Sequence, residues 1–188
     1  MWRLLLGMVI GGGVLMFMGY KEFKLSSMTD SEPQEITCQA LTENGPGENM
    51  YVTMTEYVTA EYMVYRGNSD SGPWSMVYLP AKVEPTMNNS AIRVILKLKD
   101  VKNDDDLLNR TERASITGLI INEIDSIGEE DRALLRDGIP SIQVDKCYIL
   151  AVDRKPAGAG KIFLFIGGGI ALIAGAGVIF FFFMPDDG

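Results

Sequence analysis

The chain has 188 residues, 47% of them hydrophobic, and a formal net charge of −8. It contains no histidine and only two cysteines, Cys38 and Cys147. That composition removes the commonest general base, the commonest metal ligand, every Ser-His or Cys-His nucleophile pair and any zinc-type cysteine spacing. The acids are concentrated in the middle: residues 29–153 hold 22 of them against 11 bases. Such a surface repels a phosphate backbone, so nucleic acid is not an expected partner.

In chain order, Leu4–Tyr20 is an uncharged run at the short limit for a spanning helix, bracketed by Trp2 and Tyr20 as interfacial aromatics would be. The competing reading is a cleaved signal peptide. The first alanine of the chain is Ala40, so no A-x-A site follows the run, and residues 1–20 are expected to remain as an anchor, with Gly19 the one weak cleavage position. Residues 21–33 read as a polar linker.

Residues 34–155 read as one acidic, β-rich domain. Strands are predicted at Glu35–Leu41, Met50–Tyr57, Ala60–Arg66, Trp74–Leu79, Ala91–Lys99, Ser115–Asn122 and Asp145–Val152, separated by turn-forming stretches such as Asn44–Asn49 and Asn68–Pro73. Asn103 is placed to cap a short helix whose first turn carries Asp104, Asp105 and Asp106, suited to the positive end of the helix dipole. Ser126-x-x-Glu129 has the form of a capping box opening a second helix, with Leu134 and Leu135 facing inward and Gly138 and Pro140 ending it. A Gly-rich hinge, residues 156–161, leads to Ile162–Met184, which holds no charge. That run makes a helix of about 34 Å, and its Ile, Leu, Val and Phe side chains favour insertion by on the order of 4–8 kcal/mol. Residues 185–188 form a tail. The expected fold is therefore an α+β membrane protein: two transmembrane helices flank one mainly antiparallel β domain, a barrel or a sandwich, with two short helices.

The order of a short anchor, Gly45-x-Gly47-x-Asn49-x-Tyr51-Val52, Trp74-x-x-x-Tyr78-x-Pro80, Gly118, an acidic helix, Tyr148-Ile149-Leu150 and a closing Gly-rich span resembles uncharacterised two-span bacterial envelope proteins of the planctomycete type, over the whole chain. The anchor–domain–anchor topology is also loosely similar to the Surfeit-locus cytochrome-oxidase assembly factors, although this chain is shorter and lacks histidine. Neither resemblance carries a catalytic residue across.

No motif asks for a cofactor or a metal. Taking Asp104 as the first position of a calcium loop puts Asn109 where Gly is needed and Ser115 where Glu is needed. Gly158-Ala-Gly160-Lys161 has Lys155 in place of the first loop glycine and Ile162 in place of the magnesium-binding Ser or Thr. Asn88-Asn-Ser90 and Asn109-Arg-Thr111 match the glycosylation pattern and nothing more. The small residues are more informative: Gly7 and Gly11 in the first span, and Gly167, Ala171 and Gly175 in the second, recur every four residues and predict a hairpin packed through those faces.

The side of the membrane is signalled both ways. Lys21, Lys24, Arg154, Lys155 and Lys161 lie on the domain side of the spans, which by the positive-inside rule keeps the domain in the cytoplasm. Arg3 before a short apolar run has the form of a signal anchor, which exports the segment after it. A Cys38–Cys147 disulfide would fit export, because it staples the first strand to the last across a 110-residue loop worth about 4–5 kcal/mol. The expectation is an inner-membrane protein with an extracytoplasmic domain. Beyond lipid, its expected partner is another envelope protein or a second copy of itself, which it binds or helps to assemble with no chemistry of its own. The rival is a membrane-anchored enzyme using carboxylates or a serine, which requires a pocket with two convergent acids, one of them desolvated. A transport subunit is disfavoured, since neither span carries an ionisable residue within its apolar core.

Overall fold

The computed structural model describes residues 2–83, 92–140 and 142–183. The chain divides into two compact units, one formed by its two terminal segments and the other by Met28–Pro156.

The first unit is a pair of 25-residue helices, α1 (Trp2–Ser26) and α5 (Ala159–Phe183). Both are long and apolar enough to cross a membrane. Most of their apolar side chains point away from one another, including Leu4, Ile10, Phe17, Leu164 and Phe181. Helix α1 extends through half of the expected linker, because Glu22, Phe23, Lys24 and Leu25 favour helix and no breaker intervenes; the Ser27 amide closes the last turn on the Phe23 carbonyl at 2.9 Å. At the other end of the chain, α5 begins inside the expected hinge.

The second unit is a nearly closed, mostly antiparallel barrel. Its strands are β1 (Gln34–Thr37), β2 (Tyr51–Thr55), β3 (Tyr57–Thr59), β4 (Val64–Gly67), β5 (Trp74–Val83), β6 (Val94–Val101), β7 (Ser115–Ile120) and β8 (Tyr148–Val152). The sheet runs β1-β2-β7-β8-β6-β5-β3, with β4 also on β5. Glu56, at φ 53°, bends the chain between β2 and β3, so one strand pairs with β7 through its first half and with β5 through its second. Counted as a single bent strand, β2/β3 is followed around the barrel by β5, β6, β8 and β7, and β7 returns to β2. The β6–β8 pair is parallel and the other pairs of this circuit are antiparallel. Helix α3 (Asp104–Thr111) lies between the third and fourth strands in sequence and sends Leu107 into the core. This is the connectivity of the five-stranded Greek-key barrel of the oligonucleotide/oligosaccharide-binding type. Of the two expected architectures, the barrel is the one formed.

Alternation fills the barrel. Val94, Leu96 and Leu98 of β6, Val77, Leu79 and Ala81 of β5, and Leu150 and Val152 of β8 all enter one core cluster. Three sequence expectations change. The predicted first strand stops at Thr37, whose hydroxyl accepts from the Ala40 amide at 3.1 Å and opens helix α2 (Cys38–Asn44); Cys38 and Leu41, three residues apart, then reach the core from one helical face. Ser126 does not cap the acidic helix: α4 (Glu129–Gly138) starts from Gly128 without a side-chain cap, and the Ser126 amide instead bonds Asp125. Leu134 is exposed while Leu135 is fully buried, because a short helix turns one row inward, here Asp131 and Leu135. The Asn88–Ser90 pattern and the 185–188 tail lie outside the described residues.

Candidate functional site

The outward face of the barrel is more informative than its core. Between the inward residues, Tyr78, Ile95, Lys97, Leu119, Ile149 and Ala151 point outward, yet all are buried. Residues 121–147, the connection between β7 and β8, lie over them, contributing Ile121, Ile124, Ile127, Leu135, Ile142 and Val144 as buried apolar groups. In a barrel of this connectivity, this face and its flanking loops are where ligands usually sit. Here the chain's own connection occupies it.

Polar contacts fix the cover in place. Lys97, almost wholly buried, reaches the Asp125 carboxylate at 2.7 Å and lies 5.7 Å from the centre of the Tyr78 ring. Arg66 Nε donates to both oxygens of Asp131 at 3.1 Å, a forked pair in which the carboxylate is buried and the guanidinium half-exposed. That pairing raises the Arg66 pKa, through the hydrogen bond first and the charge second. Burial, and then the charges of Asp131 and Asp125, raises the Tyr78 phenol as well. Tyr62 donates to the Leu134 carbonyl at 3.1 Å, and its ring lies so close to Gly138 that a methyl group there would meet it at 2.1 Å. Asn122 is used twice: its amide nitrogen donates to the Cys147 carbonyl and its oxygen accepts from the Ile149 amide, both at 2.8 Å.

Beside this cover is a cleft of about 270 Å³, lined in part by Asn122, Asp125, Ser126, Arg132 and Asp145. Arg132 and Arg136 converge on the two oxygens of Asp145, at 2.9 and 2.8 Å. The two acids of the cleft are thus each paired with a base, Asp125 with Lys97 and Asp145 with the two arginines. Among the described residues no group of three or more His, Cys, Asp or Glu side chains is placed to hold a metal ion.

The cysteines lie at opposite ends of the sheet. Cys38 follows the row in which Thr37 pairs with Thr55 and Thr55 with Ser115, whereas Cys147 lies beside Asn122, beyond the far end of β7. From Ser115 to Asn122 is about 23 Å of strand, against the Cα separation of at most about 7 Å that a disulfide tolerates. Both are free, buried thiols, and burial pushes Cys38 up to about 11 and Cys147 to about 12 from an ordinary 9.0.

The helices do pack as an antiparallel hairpin, but along a different stripe. A methyl group on Gly7 or Gly167 would meet nothing within 4 Å, Ala171 is exposed, and Gly11 and Gly175 touch only the side-chain tips of Leu172 and Met8. Apart from Leu25 in the last turn of α1, the buried residues are Leu5, Gly12 and Gly19 on α1 and Ile162, Gly169 and Ala176 on α5, each set spaced by seven. At 100° per residue, a four-residue repeat drifts about 40° around the helix at each step and a seven-residue repeat about 20°, so only the latter stays on the partner along a whole span. Asp104, Asp105 and Asp106 form the first turn of α3, capped by Asn103, which accepts from the Asp106 amide at 3.0 Å. Asn109 and Thr111 belong to the same helix, and Gly160 and Lys161 to the start of α5.

Sequence reasoning missed Lys97, Arg66 and Asp131. The one available signal was Lys97 itself, a cation at an outward position inside the otherwise apolar run Val94–Leu98. The cover that buries it comes from a segment nearly thirty residues further on.

No family model, no curated protein and no solved structure matches this chain.

Proposed function

We propose that the chain is a two-span inner-membrane protein whose barrel is a binding or assembly module for another envelope protein. The observation that carries this reading is the occupied outer face of the barrel. Because residues 121–147 fill the usual ligand face, the surface left for a partner is the outer side of α4. That side displays Glu130 and Asp137, one turn to either side of Leu134, which is 44% exposed. A protein with a basic rim around an apolar contact complements it, and the acid excess of residues 29–153 steers such a partner in. The charge pairing of Asp125 and Asp145 in the cleft also favours binding over acid–base chemistry, because neither is a lone desolvated carboxyl group.

The test is co-purification of the full chain in mild detergent, with mass spectrometry, beside a Leu134→Glu, Glu130→Lys variant. The expected result is a specific protein with a basic surface, retained at low salt, released at high salt and absent with the variant. Turnover in a broad activity screen that disappears in Asp145→Asn would replace this reading with the enzyme one.

A further inference from the structure

We infer that the cleft in the connection between β7 and β8 is a binding site for one neutral, hydroxyl-rich ring, a single sugar or cyclic polyol. The inference stands apart from the membrane and partner readings, because every residue of the cleft belongs to the barrel unit. Its volume of about 270 Å³ is just below the range usual for drug-sized ligands, so it admits one ring. Floor and rim differ in chemistry. Ile127, Val144 and Ile149 make an aliphatic floor, each of them almost wholly buried, while Asp125, Ser126, Arg132 and Asp145 stand around it.

The rim is fixed before any ligand arrives. Arg132 Nε donates to the Ile127 carbonyl at 2.8 Å and Nη1 to Asp145 at 2.9 Å, while Arg136 holds the other Asp145 oxygen at 2.8 Å. These bonds leave defined capacity. Arg132 Nη2 carries two N–H donors that no described residue accepts, and each Asp145 oxygen keeps a second lone pair. The Ser126 hydroxyl is exposed, bonds to no described residue, and can both donate and accept. Charge then selects the class. The carboxylates of the cleft are each answered by a base, Asp125 by Lys97 and Asp145 by the two arginines. An entering anion would face both carboxylates and Glu129, which pairs Arg132 at 3.4 Å, and an entering cation would face the arginines. Either ion has to break a pair already made, leaving a charge without its partner. A hydroxyl does not: it donates to Asp145 and accepts from Arg132 with every pair intact. The C–H face of a ring then lies on the aliphatic floor while its hydroxyls reach the rim.

The experiment uses the full chain in a detergent without a sugar headgroup. Equilibrium dialysis and saturation-transfer NMR are run against D-glucose, D-galactose, D-mannose, N-acetyl-D-glucosamine and myo-inositol. The expected result is saturable binding of at least one of them, with a millimolar or tighter dissociation constant. Glucuronate and glucosamine, similar rings that carry a charge, are expected to bind about tenfold more weakly than the best neutral probe. Ser126→Ala removes one hydrogen bond and should weaken binding about fivefold, whereas Ser126→Trp should abolish it by filling the cleft. Both replace an exposed side chain that bonds to no described residue, so thermal melting should match the native chain. If Ser126→Trp does not fold, Ser126→Ala decides. A methyl glycoside of the best-binding sugar separates the two sources of such a ring. Retained affinity identifies the end of a glycan and lost affinity a free sugar, and both uphold the cleft. The inference is overturned by saturable binding of none of these probes, or by equal affinity for the charged rings. Undiminished binding in both folded Ser126 variants would overturn it as well.

Discussion

A methyl group on Gly12 would lie 2.7 Å from Cγ1 of Ile173 and 2.8 Å from the Gly169 carbonyl oxygen, and backbone cannot retreat as a side-chain tip can. Gly12→Leu is therefore expected to separate the helices, at a cost of about 1–3 kcal/mol or more. Gly7→Leu, on the outward face, should leave them paired. Disulfide cross-linking between Met8→Cys and Gly175→Cys reports the difference, and equal cross-linking in both variants would contradict the seven-residue stripe. The native thiols give a second measurement. Their pKa values are raised on folding, so between pH 9.0 and about 11 the unfolded chain has released protons that the folded one keeps. Stability is therefore expected to fall as pH rises through that window, by up to about 1.4 kcal/mol per pH unit for each thiol. Replacing both cysteines by Ala should flatten that slope in denaturant titrations.

Among the elements, the two clamps over the barrel face are predicted to respond in opposite ways. Arg66→Met leaves the buried Asp131 carboxyl without its fork, which is expected to be destabilising and to expose α4 first to hydrogen exchange. Lys97→Met removes the buried member of its pair and leaves Asp125, whose side chain is 42% exposed, able to turn to water. That change is expected to be neutral within about 1 kcal/mol or stabilising. Chemical denaturation of the two variants decides it, and a larger loss in Lys97→Met would reverse the assignment. The contrast also shows how much was legible from sequence. Asn103 with its three aspartates was readable, because cap, dipole and first turn all lie within four residues. The α2 helix was not: its stretch Glu35–Leu41 carries strand-like residues, and the barrel core receiving Cys38 and Leu41 decides its form. Leu134 and Leu135 are equally apolar neighbours, and the strands opposite them settle which one turns inward. The burial of Lys97 depends on a cover supplied by a distant segment, so no local window contains it.

At the scale of the whole molecule, most of the strands followed from alternation and turn chemistry, whereas the eighth strand β3, the third short helix α2 and the strand order did not. Two of the pairings, β1 with β2 and β6 with β8, are parallel, and a parallel partner leaves no hairpin turn to be read. The order has a consequence for how the protein is made. The last strand in sequence, β8, lies between β7 and β6 in the sheet. Until residues 148–152 have emerged from the ribosome, β1-β2-β7 and β6-β5-β3 are two partial sheets linked by the bend at Glu56 and by the α3 connection, with no strand yet between β7 and β6. Helix α5 begins at Ala159, a few residues later, so barrel closure and synthesis of the second long helix fall in the same interval. Chains released at Cys147 are expected to be digested throughout by protease and degraded in the host, whereas the full chain keeps a resistant barrel. A resistant barrel in the shortened chain would mean that the partial sheets close without their central strand. Synthesis itself then acts as the timer: the domain stays open until much of the second long helix has also been made.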